Sequence, residues 1–144
     1  MLFGSFYHTL DEKGRLLIPS RIRNDLVGRL FVLKGYEGTL LVYPETSFNK
    51  YISSIDELND NSKNSRDIKR IVLSSVFEID VDSKSRMQLP ASLLKKYEIA
   101  NEVVVIGMVD HLEIWDKTKW ESYLKDNEPE YEAKCEKLLE SING

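Results

Sequence analysis

Sulfur and imidazole are scarce in this chain of 144 residues: it has one cysteine, Cys135, and two histidines, His8 and His111. A lone cysteine cannot close an intrachain disulfide. One thiol and two imidazoles also fall short of the four ligands of a structural zinc site. No uninterrupted apolar run approaches the roughly 18 residues of a membrane-spanning helix. The opening segment, MLFGSFYHTLDEKGR, has no basic stretch followed by an apolar one, so no secretory signal is expected. There is no nucleophile elbow, no glycine-rich phosphate loop and no HExxH motif. The expectation is a soluble cytoplasmic protein, not an enzyme, with no metal, no cofactor, no small-molecule substrate and no membrane contact.

Positive charge is also in short supply, with 20 Lys and Arg against 24 Asp and Glu and a net charge of −4. Taken alone, that total argues against a nucleic-acid partner. Its distribution does not. Residues 1–72 hold 11 basic and 9 acidic side chains, whereas residues 73–144 hold 9 and 15. Six of the acids (Asp126, Glu128, Glu130, Glu132, Glu136 and Glu140) lie in the last stretch with only two lysines, so residues 1–125 are neutral overall. A DNA-binding face needs a local basic patch and not a basic total.

What the sequence does have is an internal repeat. Residues 10–19 read LDEKGRLLIP and residues 81–90 read VDSKSRMQLP. Asp11, Lys13, Arg15 and Pro19 recur as Asp82, Lys84, Arg86 and Pro90, and apolar Leu10, Leu16 and Ile18 match Val81, Met87 and Leu89. With one residue inserted the match runs on. Phe31-Val32-Leu33 meets Val103-Val104-Val105, and Leu40–Tyr43 meets Leu112–Trp115. Phe48, Tyr51 and Ile52 meet Trp120, Tyr123 and Leu124. Ordered similarity over so long a stretch indicates a tandem duplication.

Each half predicts the same elements. A first strand runs over Ser5–Leu10 and again over Val76–Val81. After a short turn comes a second strand, Arg15–Ile18 and Arg86–Leu89. Pro19 and Pro90 end it and pre-set a helix start. A short helix follows, with Ile22 and Leu26 on one face in the first half and Leu93, Leu94 and Tyr97 in the second. Two more strands come next: Leu30–Leu33 with Thr39–Tyr43, and Glu102–Ile106 with His111–Trp115. An amphipathic helix closes each half, through Phe48, Tyr51, Ile52 and Ile55 or through Trp120, Tyr123 and Leu124. A helix over Arg66–Leu73 joins the halves. A last helix, Glu130–Ile142, carries Tyr131, Cys135, Leu138, Leu139 and Ile142 as one stripe. That stripe has to bury against this chain's core or against a neighbouring subunit. Tyr36, Phe48, Trp115 and Trp120 are expected in core or subunit contacts.

These elements divide the chain into a first repeat (1–61), a connecting helix (62–75), a second repeat (76–125) and an acidic C-terminal helix (126–144). Either repeat alone buries too little apolar surface to stand by itself. The expected fold is α+β and mainly β, with the strands of both halves interleaved in one pseudo-twofold barrel flanked by helices.

The repeated turn carries the chemistry. DEKG has Asp at the first turn position and Gly at the fourth, as type I turns favour. Joining two antiparallel strands, it fits a three-residue loop with Gly14 left-handed at a bulge. An orthogonal turn between strands of different layers fits equally. Asp11 would then accept a turn N–H and orient the Arg15 guanidinium. The second copy has Ser85 in place of Gly, and a left-handed Ser costs about 1 kcal/mol, so the two tips need not share one shape. An isolated Asp–Arg pair would do no more than staple a turn. Two copies of one Lys and Arg constellation suit repeated phosphate and base contacts. Arg21, Arg23, Lys95 and Lys96 lie just past the tips, where a solvated helix face explains them as well.

The two Asp-x-x-x-Arg motifs, each with its following Pro, resemble the MraZ family of bacterial transcriptional regulators, built from two SpoVT–AbrB-like repeats in one chain. The opening FGSFYHTLD and the segment DHLEIWDK at 110–117 are similar to that family too. The resemblance implies a swapped-hairpin (double-split) β-barrel and a homo-oligomeric ring, an octamer or larger. It implies a nucleoid-associated protein that binds double-stranded DNA at direct repeats upstream of the division and cell-wall gene cluster. It makes Arg15 and Arg86 the DNA-binding residues, with Lys13 and Lys84 beside them and Asp11 and Asp82 orienting the arginines. An antitoxin-like protein-binding module of the same barrel class is the alternative.

Overall fold

The computed structural model describes residues 1–143. Its first repeat contains β1 (Ser5–Thr9), β2 (Arg15–Leu17), a 3₁₀ turn (Ser20–Asp25), β3 (Arg29–Lys34), β4 (Leu40–Pro44) and α1 (Glu45–Asp56). After α2 (Lys63–Ser74) the order repeats as β5 (Phe77–Asp80), β6 (Arg86–Gln88), α3 (Ala91–Lys96), β7 (Glu102–Gly107), β8 (Leu112–Asp116) and α4 (Lys117–Asn127). A short 3₁₀ turn then leads into α5 (Tyr131–Asn143). No helix among the described residues is long and apolar enough to cross a membrane.

The fold is α+β and mainly antiparallel sheet. Six strands lie in the order β1-β7-β8-β4-β3-β5, so each repeat lends its first strand to the other: β1 pairs with β7, and β5 with β3. Alternation along the central strands covers both faces. Leu30, Val32, Leu40, Val42, Val103, Val105, Leu112 and Ile114 point inward and are wholly buried. On the outer face Phe31 stacks on Phe48 of α1 at 4.0 Å between centroids, and Trp115 meets Trp120 of α4 at 5.2 Å. Asp116 caps α4 by accepting the Lys119 N–H, and its other oxygen accepts the Ala100 N–H. Gly107 is required where the N-terminal segment crosses β7, because a side chain there would strike the Phe3 backbone. Leu2 is consequently core, while Phe3 stays exposed beneath Arg21.

The remaining two strands, β2 and β6, pair with each other and with no strand of the large sheet. The barrel expected from the sequence is therefore not observed as a closed ladder: the strands form an open six-stranded sheet and a two-stranded ribbon. The tips explain this, since each turns its chain out of the large sheet and into the ribbon. Leu16 and Met87 sit opposite each other at the ribbon's centre and seal the core from that side, with exposures of 0% and 1%.

One local expectation changes and two narrow. The first short helix is a 3₁₀ turn, closed by Ile22 N–H to Pro19 O and Leu26 N–H to Arg23 O; it buries Ile22 while its polar residues stay in solvent. Tyr36, expected in core or subunit contacts, lies in the β3–β4 turn and is 84% exposed, which excludes this chain's core. The α5 stripe does not reach this chain's core, since α5 has no buried residue and Tyr131, Leu138, Leu139 and Ile142 all face solvent.

Leu16→Ala removes the plug between ribbon and sheet, and should cost about 2–5 kcal/mol in denaturant unfolding. Tyr36→Ala, at an exposed turn, should stay within about 0.5 kcal/mol of the parent.

Candidate nucleic-acid interface

At the first tip the Asp11 N–H donates to the Arg15 carbonyl at 3.1 Å, and the Gly14 N–H donates to the Asp11 carbonyl at 3.0 Å. This closes a three-residue loop with Gly14 left-handed at φ 75°. Both geometries open to the sequence are present at once. The loop is closed like a hairpin, yet its two strands leave for different layers.

The Asp11 carboxylate organises the rest. Its Oδ1 accepts the N–H groups of Lys13 (3.0 Å) and Arg15 (2.9 Å), and its Oδ2 accepts the Arg15 Nε–H at 2.5 Å. The second tip repeats each bond. Asp82 Oδ1 accepts the N–H groups of Lys84 and Arg86, both at 2.9 Å, and Oδ2 accepts the Arg86 Nε–H at 2.9 Å. Ser85 takes the left-handed conformation, φ 60°, so the two tips share one backbone shape despite the substitution.

That conformation has a visible use. The Gly14 carbonyl accepts the Leu89 N–H at 3.0 Å, and the Ser85 carbonyl accepts the Ile18 N–H at 2.9 Å. Each bend thus aims a carbonyl at the other repeat, and the bonds offset the cost at Ser85. The pair extends the β2–β6 ribbon at both ends.

Ribbon pleating then decides what faces out. Opposed residues share a face, and successive residues alternate. With Leu16 and Met87 inside, Arg15, Leu17, Arg86 and Gln88 all face out, Arg15 opposite Gln88 and Leu17 opposite Arg86. The two arginines are close enough for Arg86 Nη1 to lie 4.0 Å from Asp11 Oδ2. Their side chains are about a quarter exposed, and Lys13 and Lys84 are exposed at the tips. Binding each guanidinium through Nε leaves further N–H groups directed away from the carboxylate. The arrangement can present two fixed cationic forks, flanked by two exposed ammonium groups, to an anionic or base-edge acceptor.

The structure thus brings Arg15, Arg86, Asp11 and Asp82 together on one ribbon, with Lys13 and Lys84 at its two ends. Arg21 and Arg23 are not part of it: Arg21 lies over the Phe3 and Phe6 rings, and Arg23 donates to the Ile18 carbonyl. Leu17 and Gln88 share the outward face but escape a motif search. Strand alternation marks them once β2 is known to pair with β6.

Two stretches of the chain, residues 1–71 and 72–141, each match the family model described as "MraZ protein, putative antitoxin-like". The chain is 35% identical over 144 residues to the transcriptional regulator MraZ of Mesoplasma florum, covering 99% of each chain. It is 33% identical to that of Pediococcus pentosaceus, covering 97% of this chain and 98% of the relative. Against that of Ureaplasma parvum the identity is 34%, covering 100% and 99%.

Bonds from the backbone N–H groups of Arg15 and Arg86 hold the Asp11 and Asp82 carboxyls below the usual carboxylate range. A pKa lowered by folding contributes stability above the unfolded-state value, and that stability is lost as pH falls through the folded value. Carboxyl NMR titration should place both groups below the usual aspartate value. Asp11→Asn and Asp82→Asn should each flatten the acid limb of the stability profile.

Proposed function

The chain belongs to the MraZ family, and from that premise we propose that it is a sequence-specific DNA-binding transcriptional regulator of the division and cell-wall gene cluster, acting at direct repeats upstream of it. The observation that carries the reading is the joining of both tips on one ribbon, with two Asp-held guanidinium groups facing outward. Arg15 and Arg86 read guanine O6 and N7, for which a bidentate arginine is the commonest specific contact. Lys13 and Lys84 neutralise flanking phosphates, and Asp11 and Asp82 hold the arginines in position. A two-stranded ribbon fits the major groove. Two ladder steps span about 7 Å, close to two base-pair rises. The acidic total is no obstacle, because the surplus lies in residues 126–144 and not on the ribbon.

The same proposal covers architecture and assembly. The exchanged strands and the ribbon are two parts of one swapped-hairpin barrel, made from repeats 1–61 and 76–125. The exposed α5 stripe is a subunit contact that closes a homo-oligomeric ring in the cytoplasm, associated with the nucleoid. One ribbon binds weakly; several on one ring, engaging repeated boxes, bind tightly through effective concentration. The same stripe also suits an antitoxin-like role, with α5 holding a foreign protein.

Fluorescence binding to direct-repeat duplexes across a salt series tests the ribbon. Arg15→Ala and Arg86→Ala should each lose about 1–3 kcal/mol, and Lys13→Ala should weaken all sequences alike and lower the salt slope by about 1. Arginine variants that bind like the parent would remove the reading. Truncation after Asn127 should lower the assembly's mass in solution and leave the ribbon's base preference intact. An unchanged mass with loss of a captured protein would favour the antitoxin-like role.

A further inference from the structure

The β2–β6 ribbon is built on a pseudo-twofold that its outward face does not obey. Leu16 and Met87 are repeat equivalents and lie opposite each other, so the local axis passes between them. Arg15 and Arg86 are exchanged by that axis, as are Lys13 and Lys84. The remaining outward pair is Leu17 and Gln88, a hydrocarbon on one strand and an amide on the other. Each arginine therefore has a different companion across the ladder: Gln88 beside Arg15, and Leu17 beside Arg86.

Neither companion has a structural task that explains its exposure. Leu17 is 43% exposed, while Leu16 and Ile18 on either side are fully buried. The Gln88 amide donates one N–H to the Lys13 carbonyl at 3.2 Å, which steadies the side chain against the first tip. Its second N–H and its Oε1 have no partner among the described residues. Those two groups are what an amide needs to bind adenine, donating to N7 and accepting from the N6 amino group. An exposed leucine offers the complementary preference, apolar contact with a thymine methyl.

We propose that Leu17 and Gln88 are specificity-determining residues that give the ribbon a direction on DNA. The inference rests on the proposed DNA contact by Arg15 and Arg86. Two equivalent arginines alone would read a box and its reverse complement equally. With Gln88 beside one and Leu17 beside the other, the bases flanking the two guanine contacts differ, and only one orientation of the box satisfies both. Asymmetric boxes in direct repeat, all pointing one way, are what such a face can count along a promoter.

The test is selection from a randomised duplex pool by the full-length chain at fixed salt, with competition binding on the enriched box. The parent should enrich a non-palindromic box, and changing either flanking base should weaken it about tenfold, the scale of one good base contact. Leu17→Gln and Gln88→Leu should each convert one flanking preference into the other, so that the two flanks become alike and the enriched box becomes palindromic. In Leu17→Gln/Gln88→Leu the two flanking preferences should change places. Both positions face solvent, so melting temperatures close to the parent's should accompany these shifts, and Leu17→Ala gives a second variant that adds no amide. The same box enriched by the parent, both single variants and the exchange would overturn the inference, provided Arg15→Ala and Arg86→Ala change the selection. If the arginine variants also select the parent's box, the DNA-contact reading falls, and this inference with it.

Discussion

The short antiparallel pairing of β2 with β6 is the constraint on which the rest of the structure depends. Only three residues on each side form the ladder, yet it joins three levels of organisation. Leu16 and Met87 on its inner face complete the core. The Gly14 and Ser85 carbonyls, aimed by their left-handed conformations, tie each tip to the opposite repeat. The outer face gathers both arginines onto one surface. Separating the repeats would open the core, release both tips and scatter the site. Exchange of β1 and β5 in the large sheet reinforces the same dependence, because neither repeat keeps its own first strand.

Local electrostatics outweigh the total. Each tip carboxylate accepts two backbone N–H bonds and one guanidinium bond, so it serves as a fixture and its charge is largely spent within the tip. The cations it positions remain available on their outer edges. An acidic pI thus says little about a surface on which Asp11 and Asp82 are committed and the acidic surplus sits in residues 126–144, outside the ribbon.

Much of this was legible in the residues. The repeat located both tips, Pro19 and Pro90 ended the ribbon strands, and Asp at the first turn position with Arg four residues on indicated the paired bonds. Interleaving of the two halves was expected, but the strand partners were not legible, because the tip sequence fits a hairpin and an orthogonal turn equally. Ser85 looked like a departure, but its carbonyl gains the Ile18 N–H that rewards a left-handed bend. Tyr36 is not core, since an aromatic in a turn has no strand face to bury it. Leu17 and Gln88 lay hidden for the same reason as the pairing: their significance depends on what stands across the ladder.

In the proposed function, two arginines from two repeats act as one reading head. Guanine N7 methylation interference on a bound direct-repeat duplex tests it most directly. Two interfering guanines per box are expected about two base pairs apart, one silenced by Arg15→Ala and the other by Arg86→Ala. An interference pattern identical in the parent and both variants would contradict it.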